Sequence, residues 1–418
     1  MARDPWSVDL HSHTVYSDGT LTPTGLVRLA RTNGIRALAV TDHDHTGGLD
    51  EALEAGSQAG LEIIPGIELS ISHAEFEDIH LLVYYFAWHD PCLLARLEDF
   101  RIARETRAER ILERINAKLG AEGREPIPYT AVKTQVQGAF GRPHIAAALL
   151  ERGYVPDMNT AFKDYLIPCN VPKYYIPADE ALALVRQARG LSSVAHPRFI
   201  TPDRARLRQV IHELRASGLD AIEAYHSDHY PDDRLYLIRL ADQLGMIVTG
   251  GSDYHGFKGQ SGQPDSGGKL GSLQLPYGVV VRLRRAYLRS YPTILLLLQW
   301  PPAAAAAVRR AFASQYQLTP GHMLQAAPGK SARAQEVSPS RSTVIDLPKL
   351  EDSQVETLLD DGKAYGCRIV AVPWATARLD ERDGLLVARE ISAERFERTS
   401  AERLAHEIVH EAILTQLR

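Results

Sequence analysis

The chain has 418 residues, of which 44% are hydrophobic and 24% charged, with a formal net charge of -5. That length allows two or more domains with sizeable cores, and the composition excludes a disordered, fibrous or membrane-embedded chain. The weak negative balance excludes a global basic field, so any hold on a phosphate-bearing substrate must come from local cations or metals.

Residues 1–8 hold one Arg, one Pro and no apolar run, so no secretory or transit peptide is read there and a cytoplasmic setting is expected. From residue 8 to residue 253, short β-branched or apolar runs alternate with amphipathic helical stretches, the pattern of a parallel α/β fold. The predicted strands cover residues 8–10, 37–41, 62–67, 79–86, 191–195, 221–224 and 246–249. Between the first two, Thr22 reads as an N-cap, Pro23 as the first helical residue and Gly34 as the stop. Helices over 203–217 and 232–244 end in the same way at Gly218 and Gly245.

Residues 93–188 break the alternation. They are rich in helix formers, with Arg101, Arg104, Arg107 and Arg110 at every third position, and read as a helical insertion. The apolar stretch 294–308 is interrupted by Gln299, Pro301 and Pro302, too short for a membrane span, and reads as buried helix or strand. A loop-like segment follows over 328–342, then a β-α-β pattern (343–347, 352–365, 368–372) and a polar helix over 393–417. We therefore expect two domains, 1–285 and 286–418, the second a smaller α/β domain. Cys92, Cys169 and Cys367 are too far apart for a CxxC site and read as ordinary thiols.

The chemistry lies in what ends each strand of the first domain. His11 and His13 follow the first predicted strand, Asp42 and His43 the second, Glu68 the third, His196 the fifth, Glu223 the sixth, and Asp253 and His255 the seventh, while His80 stands near the start of the fourth. In a barrel the carboxyl ends of parallel strands converge on one face, so residues far apart in sequence meet. Any one of them alone reads as a helix cap or a core histidine; together they read as ligands for a cluster of zinc, manganese or iron ions. Adjacent ions of that kind make hydroxide from bound water at neutral pH and clamp phosphoryl oxygens, which is what phosphoester hydrolysis needs; no separate catalytic side chain is assigned.

The strings VDLHSHTVYSDG (8–19), VTDHD (40–44), PGIE (65–68), VAHP (194–197) and GSDYH (251–255) resemble the motifs of the PHP family, named for polymerase and histidinol phosphatase, over residues 6–285. The resemblance implies a distorted (β/α)7 barrel with two or three divalent metals. Matched by motif, His11, His13, Glu68 and Asp253 hold the first metal, and Glu68 bridges to a second completed by His80 and His196. Asp18, His43 and His255 form a third site, and where that site is dispensable Asp18 and His43 address substrate directly.

Within the family the chain is most similar to bacterial phosphoesterases acting on 3',5'-bisphosphate nucleotides and on the 5' ends of short RNA. The similarity rests on RETR (104–107), GRPH (141–144) and EAYHSDH (223–229). Arg104 and Arg107 share a helix face and can take a second phosphate; Arg142 and His144 can reach the cleaved phosphate or its ribose, and His229 is a further substrate contact. The expected partner is a phosphorylated small molecule or short oligonucleotide, with no membrane and no protein partner readable. A histidinol-phosphate-type phosphatase is the enzyme alternative, although those relatives usually carry His in place of Asp18. A non-catalytic scaffold with a partner-binding C-terminal domain is the other.

Two motifs carry no function. His406, Glu407 and His410 satisfy HExxH, but eight residues remain after it, too few for a third ligand, and a solvated helix is expected. Gly329-Lys330-Ser331 ends like a P-loop, yet Leu324 stands where the first glycine belongs.

Overall fold

Thr22 accepts the Gly25 N–H at 3.1 Å, with Pro23 opening the helix behind it and Gly34 leaving it at φ 75°, so the first βα unit is punctuated as its sequence dictates. In the computed structural model, which describes residues 7–133, 141–256, 268–323, 334–335, 342–347, 367–374, 385–388 and 390–417, this unit comprises β1 (Ser7–Asp9), α1 (Pro23–Thr32) and β2 (Ile35–Val40). Then come α2 (Leu49–Ala59), β3 (Glu62–His73) and β4 (Phe76–Tyr84). The chain separates into two units, Met1–Tyr277 and Gly278–Arg418.

In the first unit, β4 departs from the expected parallel plan. Residues 74 and 75 alone connect it to β3, with Ala74 at φ 52°, and so short a link permits only an antiparallel hairpin. The reversal explains why His80, near the start of its strand, belongs with residues that end theirs: it pairs with Ser70, two residues beyond Glu68. A helical layer follows within residues 91–133 and 141–171: α3 (Pro91–Ala121, capped by Asp90), α4 (Tyr129–Lys133), α5 (Arg142–Glu151) and α6 (Met158–Ala161), which continues as a π-helical turn to Leu166. They share a core of their own, including Ile111, Ile115, Leu119, Leu149 and Leu166.

The barrel resumes with β5 (Ile176–Pro177), α7 (Ala178–Gln187), β6 (Leu191–Val194), α8 (Arg204–Ala216), β7 (Ala221–His226), α9 (Pro231–Gln243), β8 (Ile247–Gly251) and β9 (Leu275–Pro276). The strand order β8-β7-β6-β4-β3-β2-β1-β9 is parallel except at β4 and at the edge strand β9. The barrel closes where Leu10 N–H reaches Gly250 O at 3.2 Å and Ser12 pairs with Tyr254. Gly251 makes that approach possible: a Cβ there would lie 2.3 Å from His11 N and Cβ.

The second unit runs α10 (Gly278–Ser290), β10 (Thr293–Leu298), α11 (Pro302–Tyr316), β11 (Thr319–Met323), β12 (Ala334–Gln335), β13 (Thr343–Leu347), β14 (Arg368–Pro373), β15 (Leu385–Val387), α12 (Ala393–Arg398) and α13 (Ala401–Leu417). Strand β10 lies between β13 and β14, parallel to both, and supplies a fully buried Ile294-to-Leu298 run, so the apolar stretch read from sequence is strand, then helix. The helix expected over 352–365 and the Gly329-Lys330-Ser331 run lie outside the described residues. The expectation of a solvated terminal helix is corrected. Helix α13 buries Leu404, Ile408, Val409 and Ile413, and His406 Nδ1 meets the Tyr316 hydroxyl at 2.6 Å, so this is a packed helix and not a solvated one. Among the described residues no helix is long and apolar enough to cross a membrane.

Candidate metal centre

The loop after β1 carries His11 and His13 into the barrel mouth and is held by Asp42, from the loop after β2. Asp42 accepts from Thr14 N (2.8 Å), Thr14 Oγ1 (2.7 Å) and Ser17 Oγ (2.6 Å). Asp42 is therefore an anchor for the HxH loop, whereas its neighbour His43 reaches the cluster. Three residues at the site take left-handed backbone conformations rare for side-chain-bearing residues: Asp44 (φ 50°), His196 (φ 26°) and Asp253 (φ 55°).

Glu68 stands at the centre of the cluster, fully buried. Its Oε2 lies 2.9 Å from His43 Nδ1 and 3.3 Å from Nε2 of both His11 and His13; its Oε1 lies 3.0 Å from His80 Nδ1 and 3.2 Å from His196 Nε2. Asp253 Oδ1 is 3.2 Å from His11 Nε2 and 3.1 Å from His13 Nε2. Asp18 approaches His255 Nε2 at 3.2 Å and His43 Nε2 at 3.8 Å. The structure thus places all nine residues matched by motif in one cluster: His11, His13, Asp18, His43, Glu68, His80, His196, Asp253 and His255. Their ligand atoms fall within 4.8 Å of one another in overlapping groups, with His13, His43 and Glu68 each shared between two and His11 among three.

Two observations fit this cluster to metal ions. Nδ1 of His43, Nε2 of His11 and Oε2 of Glu68 are buried without a hydrogen-bond partner although they lie close together, so their lone pairs converge on common points instead of on each other's hydrogens. The charges agree. Burial opposes ionisation of Glu68, Asp253 and Asp18, yet the surrounding imidazoles hold all three well below the usual carboxylate range. Burial, with His255 and His43 beside it, presses His13 down to about 3, leaving it neutral and able to donate a lone pair.

Glu223 and His226 have a different place. Glu223 Oε1 lies 3.1 Å from His11 Nδ1, and its other oxygen accepts the His196 N–H at 2.7 Å. The carboxylate fixes the His11 proton on Nδ1 and turns Nε2 toward Glu68 and Asp253. His226 Nδ1 accepts the Asp228 N–H at 3.2 Å, which leaves a proton on Nε2, 3.5 Å from Asp253 Oδ2; burial opposes the ring's protonation, but Asp253 and Glu223 outweigh it and raise its pKa. Both residues support the cluster from behind. The position of Glu223 at a strand end was legible; its role was not, because it depends on which nitrogen of His11 it meets.

A cavity of about 220 Å³ opens beside Asp18, His43 and His80 and is lined by Arg104, Arg107, Arg142 and His144 as well. Arg104 is held at 2.8 Å by Asp44, and Arg107 donates to Val171 O (2.7 Å) and Asn170 Oδ1 (2.8 Å). Burial, then the nearby Arg142 and Arg104 charges, lower the Arg107 pKa, the sign of crowded cations. Arg101, by contrast, pairs with Glu98 and Glu105 on the exposed side of α3. His144 Nδ1 accepts the Gly141 N–H at 3.1 Å. His229 lines a separate concavity. Sequence reasoning missed three residues of the arginine cavity: Lys173, bound to Asp78 at 2.7 Å, and the edge-to-face pair Phe100 and Tyr174, with ring centres 5.5 Å apart. No periodicity marks them, since they come from α3 and an irregular segment.

Comparison with known proteins agrees with this geometry. The PHP domain model matches residues 9–123. The chain is 32% identical over 253 residues to a 3',5'-nucleoside bisphosphate phosphatase of Chromobacterium violaceum, covering 60% of this chain and 87% of that one. It is also 32% identical over 250 residues to a 5'-3' exoribonuclease of Haemophilus influenzae, covering 59% and 89%. A crystal structure from Bifidobacterium adolescentis, named as a metal-dependent phosphoesterase, superposes with a TM-score of 0.57 at 32% identity, covering 66% of this chain and 94% of that one. The chain belongs to the PHP-domain family of metal-dependent phosphoesterases.

Proposed function

We propose that the protein hydrolyses a phosphoester of a nucleotide carrying a second phosphate, either a 3',5'-bisphosphate nucleotide or the 5' end of a short RNA. The observation that carries this reading is adjacency: the histidine–carboxylate cluster opens onto a cavity lined by Arg104, Arg107 and Arg142. Guanidinium forks match phosphate geometry, so one phosphate seats in the cavity and the scissile one at the cluster. The names of the bisphosphate phosphatase and exoribonuclease relatives support the same substrate class.

In this reading His11, His13, Glu68 and Asp253 hold one metal, Glu68, His80 and His196 a second, and Asp18, His43 and His255 a third, with manganese, zinc or iron as the ions. Bound there, such metals activate water and neutralise charge on the phosphoryl oxygens. Glu223 orients His11, Asp44 holds Arg104 in the cavity, and His144 and Arg142 flank the sugar-phosphate. Catalysis is assigned to residues 1–285, in the cytoplasm, and none of it to residues 286–418. The test is metal analysis of the purified protein combined with a panel of 3',5'-bisphosphate nucleotides, matching monophosphates and 5'-phosphorylated RNA oligomers. Turnover that requires both metal and the second phosphate is expected; equal turnover of monophosphates would overturn the assignment of the arginine cavity.

A further inference from the structure

A second concavity, of about 450 Å³, borders the cluster and is lined by Arg198, Phe199, Pro202, Ser227, Asp228, His229 and Tyr230. Phe199 leans on the cluster itself, its ring 5.2 Å from that of His196 and 5.8 Å from that of His226, yet it remains 59% exposed. Tyr230 is 69% exposed. Exposed aromatic faces that line one concavity suit a flat partner such as a base.

The polar lining is specific. His229 is only 4% exposed, and its Nδ1 lies 3.0 Å from Ala224 O. A carbonyl can only accept, so Nδ1 carries the proton and Nε2 presents a lone pair, buried and without a hydrogen-bond partner. Burial, the largest influence on this ring, lowers its pKa and keeps it neutral. The concavity therefore offers two stacking faces, one buried acceptor and, at its rim, the Arg198 guanidinium held 3.0 Å from Asp233.

Resting on the substrate class proposed above, a chemical comparison says what this site is for. Removing the 3'-phosphate of a bisphosphate nucleotide and removing the first nucleotide of a 5'-phosphorylated RNA both break a P–O3' bond, with water oxygen joining phosphorus and the proton passing to O3'. The two reactions differ in what else the phosphorus carries: three terminal oxygens in the first, two terminal oxygens and the esterified O5' of the next nucleoside in the second. With the 5'-phosphate in the arginine cavity, that next nucleoside needs a place of its own beside the cluster, and the second concavity shares no lining residue with the arginine cavity.

We propose that the Phe199–Tyr230 concavity is a subsite for the downstream nucleoside of an RNA substrate, the base stacking on the two rings and a hydroxyl hydrogen of the ribose donating to His229 Nε2. The subsite makes the enzyme a processor of RNA 5' ends as well as of mononucleotides. Base–aromatic contacts tolerate any base, so length matters there more than sequence. A ribose hydroxyl is what separates RNA from DNA at such a position.

The experiment compares metal-loaded wild type, a Phe199→Ala/Tyr230→Ala double variant and His229→Phe on three substrates. These are a 3',5'-bisphosphate nucleotide, a 5'-phosphorylated RNA tetramer, and the same tetramer with a 2'-deoxy second residue. The double variant is expected to lose about tenfold or more in kcat/KM on the RNA tetramer while keeping bisphosphate turnover within about twofold. His229→Phe is expected to erase the wild-type preference for ribose over deoxyribose. Wild type active on the bisphosphate but idle on the tetramer, or variants that lower both substrates equally or neither, would overturn the subsite alone. Wild type idle on every substrate would overturn the substrate class and the subsite with it.

Discussion

Glu223 and His11 are joined at 3.1 Å, Oε1 to Nδ1, in a fully buried pair that leaves His11 Nε2 facing Glu68 and Asp253. A carboxylate behind a ligating imidazole fixes its tautomer and raises its basicity, and loss of such a partner typically weakens metal binding by about 10–100-fold. A Glu223→Gln variant is therefore expected to fold, and to bind metal more weakly by a factor in that range when titrated calorimetrically after chelation.

Barrel closure depends on Gly251 lacking a side chain. An added methyl would meet His11 N and Cβ at 2.3 Å, and both belong to a loop pinned by Asp42. Overpacking of this kind costs about 1–3 kcal/mol and moves the histidine that it strikes. Gly251→Ala is expected to lower both the thermal midpoint and the metal content, measured on the same preparation, whereas a Gly34→Asn change at the exposed end of α1 is expected to lower neither appreciably.

Metal removal should make the protein answer to pH in a definite sense. Burial works against protonation of His80 and His255, but Glu68 and Asp78 around the first, and Asp18 beside the second, outweigh it and lift each to about 9. Both values exceed the unfolded value of about 6.5. Their protonation therefore stabilises the metal-free protein fully below that value and is lost as pH rises through about 9. The metal must displace these protons, so binding is expected to release protons at pH 7 and to weaken by up to about tenfold per proton for each unit that pH falls. Calorimetry in two buffers of different ionisation enthalpy measures the release directly.

The arginine cavity should show itself in substrate discrimination. Arg104 is held by Asp44, which is itself fixed by Ser70 N–H at 2.8 Å and Ser70 Oγ at 3.0 Å, so its guanidinium is positioned before substrate arrives. A charge-assisted hydrogen bond contributes about 1.5–3 kcal/mol. Arg104→Ala is expected to lower kcat/KM on a bisphosphate nucleotide by about 10–100-fold while changing turnover of a monophosphate far less. Steady-state kinetics on the two substrates checks the difference.

The site was legible in the sequence to the extent that strand ends carry their own signature. His11 with His13, Asp42 with His43, and Asp253 with His255 each follow an apolar run, and a barrel brings such ends together whatever their separation. What was not legible depends on direction and tautomer. Alternating hydrophobicity has no arrow, so nothing in residues 79–86 announced that β4 runs antiparallel; the two-residue link to β3 decides that. Glu223 and His226 lie on the same strand as a matched motif, but their supporting roles follow from hydrogen bonds to His11 Nδ1 and from Asp228 N–H. Phe100, Lys173 and Tyr174 meet only after a helical layer has folded with its own core. The terminal helix misled for a simpler reason: Glu402, Arg403, Glu407 and Glu411 are spread along its length, while the buried face of Leu404, Ile408 and Ile413 follows the 3.6-residue period.

Glu68 touches more of the cluster than any other residue described, with five imidazoles within 3.3 Å of its two oxygens. The most direct test is therefore metal content and phosphate release from a 3',5'-bisphosphate nucleotide, measured together on wild type and Glu68→Gln. Wild type is expected to hold two or three transition-metal ions and to turn over, and the variant to lose metal and turnover in step. A Glu68→Gln protein with wild-type metal content and wild-type turnover would contradict the account.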